Sequence, residues 1–248
     1  MLDTLRIARG VIRSLRLYYC DRKRATAMDT LYRRFVQPDD LVFDIGAHVG
    51  DRVAAFRRLR ARVLAVEPQP ALACVLSTLY GRNHSVVIER AAVGRVLGSI
   101  RLMINVDNPT VSTASWAFMQ AAQSAPGWEG QAWTRSIRVP VTTLDALIAK
   151  HGVPAFIKID VEGFEAEVLA GLTQSVAALS FEFTTIQREV AFECIERCHA
   201  LGLVRFNAAL GESQVLIHND WLGGEAIARW LAELPHAANS GDIYAISA

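Results

Sequence analysis

Leu41-Val42-Phe43-Asp44-Ile45-Gly46-Ala47-His48-Val49-Gly50 is an apolar run that stops in a carboxylate and a glycine-spaced turn. A short apolar run bounded by glycine reads as a buried strand, here Leu41–Ile45. Gly46 and Gly50 permit a tight turn and a close backbone approach. Residues 50–60 then read as a helix, whose first N–H groups lack intrahelical partners. A strand, a glycine loop and a helix open a β-α-β unit, with its ligand site outside the carboxyl end of the strand.

Outward from that point the same alternation continues. Arg62–Val66, Ser85–Glu89, Phe156–Ile159 and Ala178–Phe183 read as strands. Residues 69–80, 143–150, 162–172, 187–201 and 224–233 read as helices. Ser99–Ile104 is expected to be an additional strand, and 204–207, 213–217 and 243–246 late strands. This order predicts an α/β fold with a doubly wound, mostly parallel sheet over 38–248. Residues 105–136 lack periodicity and are expected to form a lid or acceptor loop. They hold Trp116, Trp128 and Trp133, aromatic faces that suit a sugar and equally suit a satellite core.

The chain has 248 residues, 52% of them apolar and 21% charged, so it can bury a large core. A net charge of +1 argues against a protein whose whole surface grips nucleic acid. Charge is nevertheless uneven. Residues 1–37 carry nine Lys/Arg against three acids, a net of +6, which leaves −5 on the other 211. Leu2, Leu5, Ile12, Leu15 and Tyr19 recur at helical spacing, with Arg6, Arg9, Arg13 and Arg16 on another stripe. The segment is read as a basic amphipathic helical arm. It packs on the domain or on a dimer partner, or it touches anionic lipid through residues 1–24. It is neither a secretion signal nor a bilayer span. Four scattered cysteines without C-x-x-C spacing suit a reducing cytoplasm. Cys194 and Cys198 share a helix face near His199, but no fourth ligand is evident and the group reads as packing.

The turn at 44–50 is not a dinucleotide fingerprint. His48 stands where the second glycine of G-x-G-x-x-G belongs and Asp51 where the third does, so pyrophosphate is disfavoured. An adenosine ligand without phosphate suits Asp44, Gly46, Ala47, His48 and Gly50 better. Glu67-Pro68 ends the second strand, where an acid accepts from both ribose hydroxyls and the proline fixes the turn. Arg90-Ala91-Ala92 follows the third strand and leaves a slot for an adenine ring. Alternation places Lys158 and Asp160 on one side of their strand, and Asp160, Glu162 and Glu182 on one rim. Helix capping and surface ion pairs are the plainer roles for these acids.

The motifs Asp44–Gly50, Val66-Glu67-Pro68, Ala91–Gly94, Thr143–Ile148 and Phe156–Gly171 together resemble FkbM-type methyltransferases over about residues 38–185. The resemblance implies a class I Rossmann-like fold with seven strands, the last antiparallel, and S-adenosylmethionine as cofactor. It implies that Asp44, Gly46, His48 and Gly50 meet the methionine part, Glu67 the ribose, and Arg90 and Ala91 the adenine. Asp160 would lie near the sulfonium and the acceptor.

Methyl transfer from a sulfonium is an in-line displacement that depends mostly on positioning. A hydroxyl acceptor also benefits from a base. Asp160 is the first candidate, then His48 and Glu182, with Lys158 holding the acceptor oxygen or tuning a neighbour. The three carboxylates would also suit Mg²⁺ or Ca²⁺. The acceptor class is a sugar, glycan or polyketide-like hydroxyl. The competing readings are a nicotinamide-dependent sugar oxidoreductase or epimerase, which lacks its glycine motif here, and a non-catalytic cofactor-binding protein.

Overall fold

The computed structural model describes residues 2–248, with side chains from Arg6 onward, so the apolar side chains expected of Leu2 and Leu5 lie outside the described residues. Two N-terminal helices, α1 (Leu2–Tyr19) and α2 (Arg22–Tyr32), precede the sheet. Asp21 caps α2 by accepting from the N–H groups of Lys23 and Arg24, which breaks the expected single arm into two helices.

Strand and helix then alternate: β1 (Leu41–Ile45), α3 (Asp51–Arg58), β2 (Arg62–Val66), α4 (Pro70–Tyr80) and β3 (Val86–Glu89). The short β4 (Ala92–Val93), β5 (Gly98–Ile104), α5 (Trp116–Gln123), β6 (Arg135–Thr142) and α6 (Leu144–His151) come next. The chain closes with β7 (Phe156–Ile159), α7 (Glu165–Ala170), β8 (Ala178–Thr184), α8 (Arg188–Ala200), β9 (Leu203–Leu210), α9 (Gly224–Glu233) and β10 (Ser240–Ser247).

The main sheet has seven strands in the order β3-β2-β1-β7-β8-β10-β9. β10 runs antiparallel to both neighbours and the other pairings are parallel. This is the doubly wound, Rossmann-like sheet expected, with the order reversing between β1 and β7. Alternate residues feed two cores. Phe43, Ile45, Ile157, Ile159 and Ile243 join the layer of α6 to α9. Val42, Phe156 and Tyr244 join the layer of α2 and α3. The second face also carries a polar row: Asp44 pairs in register with Lys158, Lys158 with Ser180, and Ser180 with Tyr244.

Four expectations change. Ser99–Ile104 is a strand, but β5 pairs with β6, which also pairs with β4, in a separate three-stranded sheet rather than in the main one. The helix expected from Glu162 begins at Glu165, because Glu162 (φ 56°) and Gly163 (φ 83°) turn left-handed first. Gly163 has no room for a side chain, since a Cβ would press on Phe118. Residues 213–217 form no strand; Gln214 is left-handed at φ 55° and the segment folds back, its Ile217 N–H bonding Ala208. Residues 105–136 hold α5, capped by Ser115, and a 3₁₀ turn at Pro109–Val111. There Trp128 and Trp133 pack with Phe118 in a small core, while Trp116 is exposed.

The arm packs on the domain. Ile7, Val11, Leu15 and Tyr18 of α1 meet Val49 and Leu72. Arg6 is ion-paired with Asp107, and Arg13 donates to the Asp107 carbonyl (3.0 Å) and to Asn108 (3.2 Å). No helix among the described residues is long and apolar enough to cross a membrane.

Candidate active site

The largest constellation of chemistry lies at the carboxyl ends of β1, β2, β7 and β8, at the point of strand reversal. The loop after β1 is pressed against the end of β7. The Asp160 N–H donates to Ile45 O (2.9 Å), and the Gly46 and Ala47 N–H groups both reach Val66 O. Gly46 sits at φ 84°, and a Cβ there would run into the Asp160 carbonyl oxygen. Only glycine satisfies both demands. The resulting cleft is lined by Gly46, Ala47, His48, Glu67, Pro68, Ala91, Asp160, Glu162 and Glu182 among others.

Glu67 is 3% exposed and accepts the N–H groups of His48 (2.9 Å) and Gln69 (2.8 Å), one on each oxygen. Burial pushes its pKa up to about 8, against the pull of those two N–H donors. Asp44 is buried, and one of its carboxylate oxygens has no hydrogen-bond partner. Burial raises Asp44 to about 7, partly opposed by the Arg52 charge. The turn at His48 is left-handed (φ 48°). Its ring packs edge-on against Tyr18 at 5.7 Å, with Nε2 3.4 Å from Thr110 Oγ1. Burial lowers the pKa of His48 and keeps the imidazole neutral.

The acidic rim forms as expected. Carboxylate oxygens of Asp160, Glu162 and Glu182 lie within 4.8 Å of one another. Asp160 does not cap a helix; Phe164 occupies the N-cap of α7. Lys158 is fully buried, with Nζ 2.8 Å from Asp242 and 3.2 Å from Asp160. Burial disfavours its charge, but Asp160 and Asp242 outweigh that and hold the ammonium above its usual range. Burial likewise works against the Asp160 carboxylate, yet Lys158 and Arg52 win and lower its pKa. Glu162 and Glu182 rise well above the carboxylate range, through burial first and then the Asp160 charge. An ionised Asp160 therefore sits beside two carboxyls that favour the neutral form, and one Glu182 oxygen is unpartnered.

Some candidates stand apart. Arg90 is exposed and donates to Ser77 Oγ (3.1 Å), so it does not line the cleft, and Ala91 alone represents that pair. Lys158 and Asp44 act from behind the lining, and Gly50 supports the turn, where a Cβ would meet Leu76 and Tyr80.

The sequence reading missed the far wall. Tyr18 of α1 and Glu212, beyond β9, line the cleft. Arg52 pairs with Asp51 (2.9 Å) and Glu212 (3.6 Å) and reaches Asp160 at 3.9 Å. Arg24 of α2 joins Asp51 (2.8 Å) to Glu212 (2.6 Å) and lies 4.8 Å over the Tyr18 ring. Burial opposes the Asp51 charge, but Arg52 and Arg24 hold its pKa at about 2. Asp51-Arg52 follows the loop directly and was a readable signal. Nothing local marked Tyr18, Arg24 or Glu212, which arrive from distant segments.

Sheet order and strand-end loop together define a class I methyltransferase architecture. The methyltransferase FkbM domain matches residues 44–221, and the chain belongs to that family. It is 26% identical to the hexuronic acid methyltransferase AglP of Haloferax volcanii over 156 residues, 62% of this chain and 59% of the relative. The match thus spans under two thirds of that protein. Among solved structures, a precorrin-6y C5,15-methyltransferase from Geobacter metallireducens is similar at TM-score 0.43 and 12% identity, over 91% of this chain and 87% of that one. A SAM-dependent O-methyltransferase from Thermotoga maritima is similar at TM-score 0.43 and 12% identity, over 91% and 65%.

Proposed function

We propose that the chain is an S-adenosylmethionine-dependent O-methyltransferase acting on a sugar-type hydroxyl. The observation that carries this is Glu67. It is buried at the end of β2, oriented by two backbone N–H groups, and left with lone pairs toward the cleft. Two neighbouring hydroxyls of a ribose fit such an acceptor. Gly46, Ala47 and His48 would hold the methionine part, with the unpartnered Asp44 oxygen behind them. Pro68 and Ala91 would border the adenine. The cofactor supplies a methyl group already activated on a sulfonium.

The chain's own contribution is positioning and proton handling. Asp160 stays ionised beside Lys158 and faces the cleft, so it is the base for the acceptor hydroxyl. His48, neutral and at the cleft wall, is the second candidate. Glu182 and Glu162 favour protonation and would donate hydrogen bonds to acceptor oxygens. The family relative named for a hexuronic acid supports a sugar acceptor. Asp160→Ala is expected to lower kcat by about 10²–10⁴-fold while leaving S-adenosylhomocysteine affinity within a few-fold. Near-normal turnover of the variant, followed by mass spectrometry of the methylated sugar, would remove Asp160 from the mechanism.

A divalent cation is a second reading, carried by the proximity of Asp160, Glu162 and Glu182. Three oxygen donors suit Mg²⁺ or Ca²⁺, which would polarise the acceptor oxygen. Against it, Lys158 already neutralises Asp160. Calorimetric titration with Mg²⁺ and Ca²⁺ decides the matter: no heat, and no loss of rate in a chelator, assigns the cluster to shared protons. Residues 1–24 would touch anionic lipid, or the chain would pair as a homodimer. Ile12 and Leu17 are exposed on α1 beside Arg9 and Arg16, and vesicle co-sedimentation and sedimentation equilibrium test the two.

A further inference from the structure

A second cleft, of about 690 Å³, lies between α2 and the turn that follows β9. Its size falls within the range of ligand sites, roughly 300–1,000 Å³. Arg22, Lys23 and Arg34 line it, and no aspartate or glutamate does. Other cations of this region are consumed internally: Arg24 by Asp51 and Glu212, and Arg58 by Asp29. Arg22, Lys23 and Arg34 have no carboxylate partner among the described residues. Surface cations are commonly just solvated, but here they ring a concavity whose floor is polar and incompletely satisfied. Gln214 is 3% exposed and its amide oxygen has no partner, while the Nε2 of His218 is also without one. Buried polar atoms left alone are costly, and a ligand hydroxyl would satisfy them. Thr26 and Thr30 direct their hydroxyl protons back to carbonyls of α2, leaving oxygen lone pairs to accept.

The cleft also communicates with the candidate active site. Gln214 Nε2 donates to Glu212 at 3.2 Å, Glu212 lines the cofactor cleft, and Arg52 links Glu212 to Asp160. Glu212 at the edge of one cleft and Gln214 in the lining of the other are thus directly bonded neighbours.

We propose that the cleft between α2 and the 212–219 turn is a subsite for an anionic saccharide: the part of the acceptor beyond the methylated sugar, bearing carboxylate or phosphate groups. Hydroxyl donors meet Gln214 and the threonines, and the anion meets Arg22, Lys23 and Arg34. This inference rests on the sugar acceptor proposed above.

The test is calorimetry on the full chain saturated with S-adenosylhomocysteine, using trigalacturonate for carboxylates, UDP-glucose for phosphates and maltotriose as the neutral probe. At least one charged probe is expected to bind about tenfold more tightly than maltotriose, and less so as salt rises. R22Q/K23Q/R34Q, and R34E alone, should lose that preference while S-adenosylhomocysteine binds as before. Whichever charged probe responds identifies the anion. Equal binding of all three probes, or variants that keep the preference, overturns the subsite. Failure of S-adenosylhomocysteine to bind the natural chain overturns the cofactor reading instead, and the saccharide comparison then still stands on the unliganded protein.

Discussion

Replacing Glu67 tests the cofactor reading at its strongest point. Each of its oxygens already accepts one backbone N–H, at 2.9 and 2.8 Å, and each keeps a lone pair for a ribose hydroxyl. Two hydrogen bonds to an ionised carboxylate are together worth about 3–6 kcal/mol. The gain is reduced because burial holds Glu67 at about 8, so it must lose its proton when ligand binds near neutral pH. At pH 7 that costs about 1.4 kcal/mol. The balance is about 2–4 kcal/mol, and Glu67→Ala is expected to raise the S-adenosylhomocysteine Kd by roughly 30- to 1,000-fold. The sign of the pH effect follows from the same numbers. The complex needs the ionised form, so affinity should rise by about tenfold from pH 7 to 9 and then level off. Glu67→Gln cannot ionise and should lose that rise, while any titration of the ligand's own amino group is common to both proteins. Stability of the unliganded chain moves the other way. A raised carboxyl pKa stabilises at low pH, and that contribution is lost as pH climbs through about 8. Calorimetry across pH 6–9 reads both proteins. A Kd for Glu67→Ala within threefold of the natural chain, or parallel pH profiles for the natural chain and Glu67→Gln, refutes the assignment.

Gly46→Ala should destabilise the fold by at least about 2 kcal/mol and abolish cofactor binding, because φ 84° and the Asp160 carbonyl both exclude a Cβ; an unchanged melting temperature would contradict this. Lys158→Met should cost about 3–5 kcal/mol in chemical denaturation, since it strands the buried Asp242 and Asp160 carboxylates without their shared cation. A loss below 1 kcal/mol would show that these acids are satisfied otherwise.

The strands β1, β2 and β7 lie where the sequence put them, at the residue, because each is an apolar run closed by glycine, proline or acid. Period-2 alternation likewise gave Lys158 and Asp160 a common face, and the structure bonds them. Helix starts were less legible. Glu162 and Gly163 look helical by composition, and only packing against Phe118 reveals the left-handed turn. The tryptophans of 105–136 read equally well as platform or core, and burial assigns two of them to the core.

What the sequence determined by itself is local: where the chain extends, where it turns, and which strand ends carry an acid, since these depend on neighbours a few residues away. Tertiary structure alone decided which charges face each other. Arg24, Arg52, Asp51 and Glu212 come together from three segments, and the lowered pKa of Asp51 follows from the charges of Arg52 and Arg24 brought beside it by the fold. Charge interaction falls with separation in space and strengthens out of water. The wall formed by Tyr18 and Glu212 therefore had no signature until the helices and the sheet were packed.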